Sequence, residues 1–220
     1  MKIIILALMK IVNTSHIKNW PNKVILGVAD ISSELPTGIL SPSESKEYDS
    51  FKNLNRKAEY LSARTLLKFL LSSSEVDEKN VILSREEGGK PFAKLGDEHL
   101  HVSFSHSPHK VYCALSKKFD IGVDVEPLKR KIPLKLVNRI LSDSEKKKPN
   151  SLNPIQVWTI KEAVVKLLGT GLRTNLNELS IEQNEKSQIY VRFNNEKLIE
   201  ICSFSQSDHQ IALAYQSLHI

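Results

Sequence analysis

The chain has 220 residues, a formal net charge of +6 and only two cysteines, Cys113 and Cys202. This length allows one domain or two small ones with a sizeable core, and two cysteines are too few for a disulfide framework, which favours a reducing, cytoplasmic setting. No apolar run approaches the ~20 residues of a membrane-spanning helix, so we expect no membrane association and interpret Met1–Lys10 as a buried first strand rather than a signal sequence. The positive charge predicts an anionic partner without choosing its class.

The first part of the chain predicts a strand followed by a long helix. Residues Val24–Val28 have the apolar character of a strand. Ser41-Pro42-Ser43-Glu44 is typical of a helix start, with a serine cap, proline in the first turn and glutamate completing a capping box. The helical pattern that follows is expected to continue to Leu71. Arg64 and Thr65 lie inside it, and the residues alone leave open whether the arginine binds a ligand or lies on the surface.

A polar turn and a hairpin are predicted next. The Gly88-Gly89 pair gives the backbone freedom just before Lys90, although a lysine in such a loop is usually a solvent-facing charge. His101–Ser107 and Val111–Leu115 predict two strands joined by a turn at Ser107-Pro108. His106 lies at this turn, where a hydrogen-bonded structural histidine is the commoner alternative.

The segment Ile121–Glu126 alternates apolar and polar residues with the period of two that is typical of a half-buried strand. Asp124 and Glu126 therefore point to the same face. Two such close carboxylates either face solvent, which is the usual arrangement, or hold a cation between them.

About 35 residues later, Trp158, Glu162 and Lys166 follow each other at intervals of four and form one stripe of a predicted helix. A surface ion pair explains the glutamate and lysine equally well when the helix is considered alone. Together with Asp124 and Glu126, however, the stripe completes an all-oxygen set that suits Mg²⁺. The lysine would then offer a positive charge to a phosphate or a leaving group.

At these residues the chain resembles the 4'-phosphopantetheinyl transferases, in the larger class built from two similar halves. The family's G-[IV]-D-[IV]-E strand matches Gly122–Glu126, and its W-x-x-K-E-A-x-x-K helix matches Trp158–Lys166. Gly89–Phe92 and Phe104–Ser107 match two further family motifs in the same order. The resemblance implies an α+β fold of two halves in a pseudo-twofold arrangement, each a small antiparallel sheet with a long helix packed on it. It assigns coenzyme A binding to residues 1–116, and metal binding and catalysis to residues 117–220.

The resemblance also implies a reaction and the residues that perform it. The 4'-phosphopantetheine group of coenzyme A would pass to a serine of an apo acyl or peptidyl carrier protein, an acidic partner, and adenosine 3',5'-bisphosphate would be released. Asp124, Glu126 and Glu162 would bind Mg²⁺, with Asp124, Glu162 and Lys166 as the catalytic residues and Glu162 as the base. The residues implied to bind coenzyme A are Lys52, Arg64, Thr65, Lys90, Ser105, His106 and Lys166. The protein is expected to be a monomer that binds neither nucleic acid nor membrane.

An internal repeat of 100 positions supports a duplicated architecture. Val102–Val111 matches Cys202–Ile211 at several serines, one phenylalanine and one histidine, and the helix around Arg64 would correspond to the helix that carries Glu162. The binding residues of one half and the metal ligands of the other would then meet where the halves pack.

Two alternatives from other classes remain open. A Mg²⁺-dependent nuclease also uses acidic residues with a lysine, but such sites usually have the lysine two residues after the second acid, where this chain has Leu128. A non-catalytic nucleic-acid-binding module would be driven by the net positive charge. Its basic clusters, Lys129–Lys131 and Lys146–Lys148, lack interleaved aromatic residues, which favours a solvated surface.

Overall fold

The computed structural model describes residues 9–74, 76, 81–148, 151–194 and 197–217. Its strands are β1 (Met9–Ile11), β2 (Val24–Asp30), β3 (Val81–Arg85), β4 (Pro91–Leu95), β5 (Glu98–His106), β6 (Lys110–Ser116), β7 (Phe119–Pro127), β8 (Leu179–Gln183), β9 (Ile189–Phe193), β10 (Lys197–Gln206) and β11 (His209–Ser217). Its helices are α1 (Pro42–Ser50), α2 (Leu54–Ser73), α3 (Leu134–Ile140), α4 (Asp143–Lys147) and α5 (Pro154–Leu168). Of the strand predicted over Met1–Lys10, residues 1–8 lie outside the described part, and Met9 and Lys10 belong to β1.

The strands form two antiparallel sheets that follow one plan. The first sheet has the order β1-β2-β6-β5-β4-β3 and the second has the order β7-β11-β10-β9-β8. Apart from β1, each strand of the first sheet has a counterpart at the same place in the second. The α+β architecture of two similar halves expected from the sequence is confirmed.

Each sheet packs one long helix against one of its faces. Helix α2 covers the first sheet, and a core that includes Leu66, Leu70 and Val102 lies between them. Helix α5 covers the second sheet over a core that includes Ile160, Ala163 and Ala214. Burying these apolar stripes supplies the main driving force that holds each helix on its sheet.

A third core joins the two halves. Leu26 and Ala114 of the first sheet meet Val123 and Leu213 of the second in one buried cluster. The chain passes from β6 to β7 through residues 117 and 118, so the predicted division between 116 and 117 falls in this turn. Among the described residues, no helix combines the length and apolar character required to cross a bilayer.

The single long helix expected from Ser41 onward is wrong, because the structure contains two helices. The predicted start is correct, with Ser41 and Glu44 forming a capping box around the first turn. However, Phe51 adopts an extended conformation, and the Asn53 side chain accepts hydrogen bonds from the backbone N–H groups of Asn55 and Arg56. This cap begins α2 anew, since an asparagine before a helix satisfies amides that would otherwise lack partners.

The 100-position repeat is correct for the starts of α2 and α5 but not for the hairpins. Val102 belongs to the core under α2, whereas Cys202 belongs to the core between the halves. A shift of 99 positions, which pairs Val102 with Ile201 and Cys113 with Ala212, places both members of each pair under their helices. The identical residues favoured an offset of 100, which is one residue out of register in these strands. A shift of one residue in a strand turns every side chain to the opposite face of the sheet.

Candidate active site

Helix α5 lies very close to strand β7 at a glycine. A Cβ atom on Gly122 would lie 2.1 Å from the carbonyl oxygen of Ala163 and 2.4 Å from the backbone nitrogen of Leu167. Only glycine permits this approach, because any side chain would have to displace the helix backbone. The close contact brings Glu162 and Lys166 of the helix beside Asp124 of the strand.

Asp124 is nearly buried, with 6% of its surface exposed. Its Oδ1 atom accepts hydrogen bonds from the Lys166 ammonium group at 2.8 Å and from the Ser105 hydroxyl at 3.0 Å. Lys166 also donates to the carbonyl oxygen of Val123 at 3.0 Å. Among the described residues, none offers a hydrogen bond to the buried Oδ2 atom. One oxygen of this carboxylate is therefore fixed and the other is left for a ligand.

Glu126 lies two residues further along the same face. Its Oε1 atom accepts a hydrogen bond from the indole N–H of Trp158 at 3.0 Å and forms an ion pair with Arg130. The Arg130 guanidinium group in turn lies over the Trp158 ring, 5.1 Å from its centroid. Trp158 of the predicted stripe thus orients Glu126 of strand β7.

Glu162 of helix α5 is half-buried, and it lies near enough to Asp124 and Glu126 to feel their negative charges. Burial, and then the negative charge of Asp124, raise the pKa of its carboxyl group, and the nearby Lys166 opposes this shift. In the described part of the chain, no three His, Cys, Asp or Glu side chains are already arranged as a metal-binding group. Asp124 and Glu126 instead hold the cationic side chains of Lys166 and Arg130.

A cavity of about 960 Å³ opens between the two halves above this acidic centre. The first half lines one end with cationic and aromatic side chains, and the second half lines the other with the stripe of α5. The lining includes Arg56, Arg64, Arg85, Lys90, Phe104, Ser105, His106, Arg139, Trp158, Glu162 and Lys166. An anionic ligand of substantial size therefore fits between the halves.

Arg64 forms the floor of the cationic end. Its guanidinium group lies 4.2 Å from the ring centroid of Tyr60 and 5.3 Å from that of Phe104. The Nε atom lies 2.9 Å from a carboxylate oxygen of Glu44, although the two are not aligned for a hydrogen bond. The sequence alone left a surface position open for this arginine, whereas the structure buries it at the cleft.

Of the other six residues implied to bind coenzyme A, Lys90, Ser105, His106 and Lys166 lie on the cavity, and Lys52 and Thr65 do not. Ser105 and His106 line it, and the His106 ring is more than half exposed. Lys52 is exposed between α1 and α2 and is not part of the lining. Thr65 is buried, and its hydroxyl donates to the carbonyl oxygen of Leu61 within the helix.

Lys90 borders the cavity but already has partners. Its ammonium group donates to Asp120 and to the carbonyl oxygen of Leu167 near the end of α5. Burial alone would raise the pKa of the Asp120 carboxyl group, but hydrogen bonds from His101 and Lys90 hold it below its usual range. In this arrangement Lys90 ties the turn before β4 to the helix that carries Glu162.

Sequence reasoning missed several residues of the cleft. Arg56 and Arg85 border its cationic end, and Arg139 of α3 borders its other end. Arg56 precedes Arg64 by eight residues on α2, a helical spacing that could have marked both for one face. Arg85 gave no comparable signal, because its position depends on how β3 packs beside α1.

A cleft that combines arginine side chains with an acidic centre is typical of enzymes that act on phosphate-bearing substrates. A family model described as the 4'-phosphopantetheinyl transferase superfamily matches residues 120–215. The 4'-phosphopantetheinyl transferase gsp of Aneurinibacillus migulanus is 27% identical over 169 residues, which cover 72% of this chain and 69% of the relative. The 4'-phosphopantetheinyl transferase Sfp of Bacillus subtilis (strain 168) is 27% identical over 161 residues, which cover 69% of this chain and 70% of the relative.

The matches continue at lower coverage. The 4'-phosphopantetheinyl transferase ffp of Bacillus subtilis is 31% identical over 142 residues, which cover 58% of this chain and 62% of the relative. The crystal structure of the Helicobacter pylori holo-[acyl-carrier-protein] synthase in complex with coenzyme A has a TM-score of 0.37 and 20% identity, and covers 43% of this chain and 96% of that one. The family model and these relatives together support the assignment of the chain to the 4'-phosphopantetheinyl transferases. The family and the enzyme class predicted from the sequence are confirmed.

Proposed function

We propose that the cleft between the halves binds coenzyme A and that the stripe of α5 transfers its phosphopantetheine group to a carrier protein. Enzymes of this class move the 4'-phosphopantetheine group of coenzyme A to a serine of an apo carrier protein and release adenosine 3',5'-bisphosphate. The acceptor proposed here is an acidic acyl or peptidyl carrier protein, which suits the net charge of +6.

One observation carries this proposal, namely a single cavity that joins the arginines of the first half to Glu162 and Lys166 of the second half. Arg56, Arg64 and Arg85 line the cavity, and their guanidinium groups match phosphate oxygens in shape and charge. Each now pairs with a carboxylate, which a phosphate would have to replace. Glu162 and Lys166 at the other end offer an acceptor and a donor for protons. A phosphate-rich molecule that spans the cleft would bring its reacting phosphate to this second end.

The acidic centre fits a divalent metal. The Oδ2 atom of Asp124 is buried without a hydrogen bond from the described residues, which is a costly state for a carboxylate oxygen unless a cation satisfies it. Asp124, Glu126 and Glu162 are the oxygen donors that would hold Mg²⁺, a hard cation that prefers such ligands. When bound, the metal supplies positive charge to the phosphate oxygens.

The side chains of the protein move the proton and stabilise the leaving group. Glu162 accepts the proton of the carrier serine as that hydroxyl forms its new bond to phosphorus. The bond from phosphorus to the adenosine bisphosphate oxygen breaks, and Lys166 stabilises the charge that collects there. Asp124 holds the ammonium group of Lys166 beside the reacting phosphate.

The remaining expectations from the sequence extend this proposal. Ser105 and His106 line the cleft and could reach the cofactor as they stand. Lys52 and Thr65 would need a different arrangement to do so, and Lys90 would have to leave Asp120. A monomeric, cytoplasmic enzyme that binds neither nucleic acid nor membrane remains our expectation.

The direct test is intact-mass spectrometry of an apo carrier protein incubated with this protein, coenzyme A and Mg²⁺. We expect a mass gain equal to one phosphopantetheine group, and no gain when EDTA removes the metal. Gain that persists in EDTA would contradict the metal-dependent mechanism. Phosphodiester cleavage of RNA or plasmid DNA under the same conditions, without carrier modification, would favour the nuclease alternative.

A further inference from the structure

Strand β7 lies at the edge of the second sheet, and two serines of the first sheet satisfy its outer edge. The Ser103 hydroxyl accepts the backbone N–H of Val123 at 2.9 Å, and the Ser105 hydroxyl accepts the N–H of Val125 at 3.1 Å. Both serines are buried. An edge strand has no neighbouring strand on its outer side, and these hydroxyls instead satisfy two of its backbone N–H groups.

The two serines differ in their side-chain partners. The Ser103 hydroxyl accepts a hydrogen bond from the side-chain amide of Gln210 at 3.0 Å. The Ser105 hydroxyl also donates its single hydrogen to Oδ1 of Asp124 at 3.0 Å. None of the hydrogen bonds in the described part of the chain joins Ser103 to this aspartate. Because a hydroxyl has only one hydrogen, accepting from Val125 and donating to Asp124 fixes its direction completely.

This contact determines how the aspartate is presented. Lys166 and Ser105 both hold Oδ1, so the carboxylate cannot rotate without losing one of them. The Oδ2 atom then stays in place, buried and without a hydrogen bond from the described residues. An oxygen held free in this way is prepared for a cation, as outer partners of metal ligands commonly prepare them.

We propose that Ser105 is a positioning residue that orients Asp124 for the metal, rather than a ligand of coenzyme A as its sequence motif implies. The inference rests on the proposed function only in taking Asp124 as a metal ligand. The role lies in the geometry of one carboxylate, so it predicts a loss of metal affinity rather than a loss of affinity for the coenzyme.

The chain offers a matched pair of variants to test this. Ser105→Ala and Ser103→Ala each remove one buried hydroxyl that caps one N–H of β7, but only the first removes a contact to Asp124. A titration of each protein with Mn²⁺ in the absence of substrate, monitored by electron paramagnetic resonance, measures metal binding directly. We expect Ser105→Ala to weaken Mn²⁺ binding by ~10–100-fold, the usual effect of removing an outer partner of a ligand, and Ser103→Ala to leave it unchanged.

Ser105→Thr provides the rescue, because threonine keeps the hydroxyl and suits a strand. We expect it to restore metal binding, and the KM for coenzyme A to stay the same in Ser105→Ala. A raised KM with unchanged Mn²⁺ binding would show that Ser105 contacts the cofactor and would overturn the proposal. Equal losses in both alanine variants would overturn it too, because they would reflect a general loosening of β7.

Failure of the proposed function would look different. A wild-type protein that modifies no carrier but shows the difference in Mn²⁺ binding between the two alanine variants would retain the positioning role and lose the transfer reaction.

Discussion

Helix α5 uses two lysines, five residues apart, in opposite ways. Lys166 faces the cleft, where it pairs with Asp124 at 2.8 Å and keeps 30% of its side chain exposed. Lys161 faces the interior with none of its side chain exposed, and it pairs with Glu145 at 2.7 Å. The two ion pairs have nearly the same length, so their surroundings decide what each can do.

The surroundings of Lys161 saturate it. Its ammonium group also donates to the backbone carbonyl oxygens of Ile140, Leu176 and Leu179 at 2.7, 3.1 and 2.7 Å. Burial lowers its pKa, and the carboxylate of Glu145 opposes that shift. Such a charge ties several segments to the helix and has no capacity for a substrate, whereas Lys166 can still accept a new partner from the cleft.

The largest effect is expected on the transfer rate when Glu162, the proposed general base on the cleft face of α5, is replaced. Glu162→Gln keeps the size of the side chain but cannot accept the serine proton, so transfer should slow by ~10²–10⁴-fold. The melting temperature should not fall, because the half-buried carboxyl group has a pKa raised by burial and by Asp124. Rates of carrier modification and thermal unfolding measure the two effects, and a fully active variant would contradict the assigned base.

Lys161→Met should have the opposite effect to Glu162→Gln, because it should lower the free energy of unfolding. The substitution leaves Glu145 buried without its cation, and breaking a buried pair in this way costs about 3–5 kcal/mol. Unfolding in urea would measure the loss, with Lys166→Met as the matched control on the other face. An undiminished free energy of unfolding would contradict the structural role of the pair.

Lys166→Met should in turn affect the reaction more than the fold. Removing a cation that stabilises charge in the transition state commonly costs ~10²–10³-fold in rate. The free energy of unfolding should change much less than in Lys161→Met, because water reaches this side chain. If both variants lost stability equally, the contrast between the two faces would fail.

The smallest effect is expected when both members of the buried pair are replaced. A Lys161→Met variant that also carries Glu145→Leu leaves no unpaired charge, and such exchanges are often close to neutral. The three carbonyl groups lose their donor, and the backbone N–H groups of Ser142 and Ile181 lose their acceptor, Glu145. These lost hydrogen bonds should account for a residual loss of stability. Urea unfolding of the single and double variants closes this cycle, and a double variant as unstable as Lys161→Met would argue against a charge effect.

The sequence predicted the stripe of α5 and the strand β7 because both follow from short periodic patterns. Asp124, Glu162 and Lys166 needed only their spacing to be assigned to one centre. The role of Lys161 was not predictable in this way, although it lies in the same motif. Its burial depends on Ile140 and Leu176, which the fold brings to the helix from either side along the chain.

The same reasoning explains the other differences. The contact of Lys90 with Asp120 was not predictable, because Asp120 lies 30 residues later and no local pattern joins them. The break between α1 and α2 depends on Asn53, whose side chain competes with the helix for backbone amides. In both cases the side chain could bind more than one partner, and neither the composition nor the hydrophobic periodicity of the sequence indicates which one.

The positions of the two tryptophans allow ligand entry into the cleft and separation of the two halves to be followed by fluorescence independently. Trp20 lies in the first half but packs edge-on against Phe204 of the second, with ring centroids 6.0 Å apart. Trp158 lies in the cleft beneath Arg130. Since the chain contains only these two, Trp20→Phe would leave a fluorophore that responds to whatever enters the cleft, and Trp158→Phe would leave one that responds when the halves come apart.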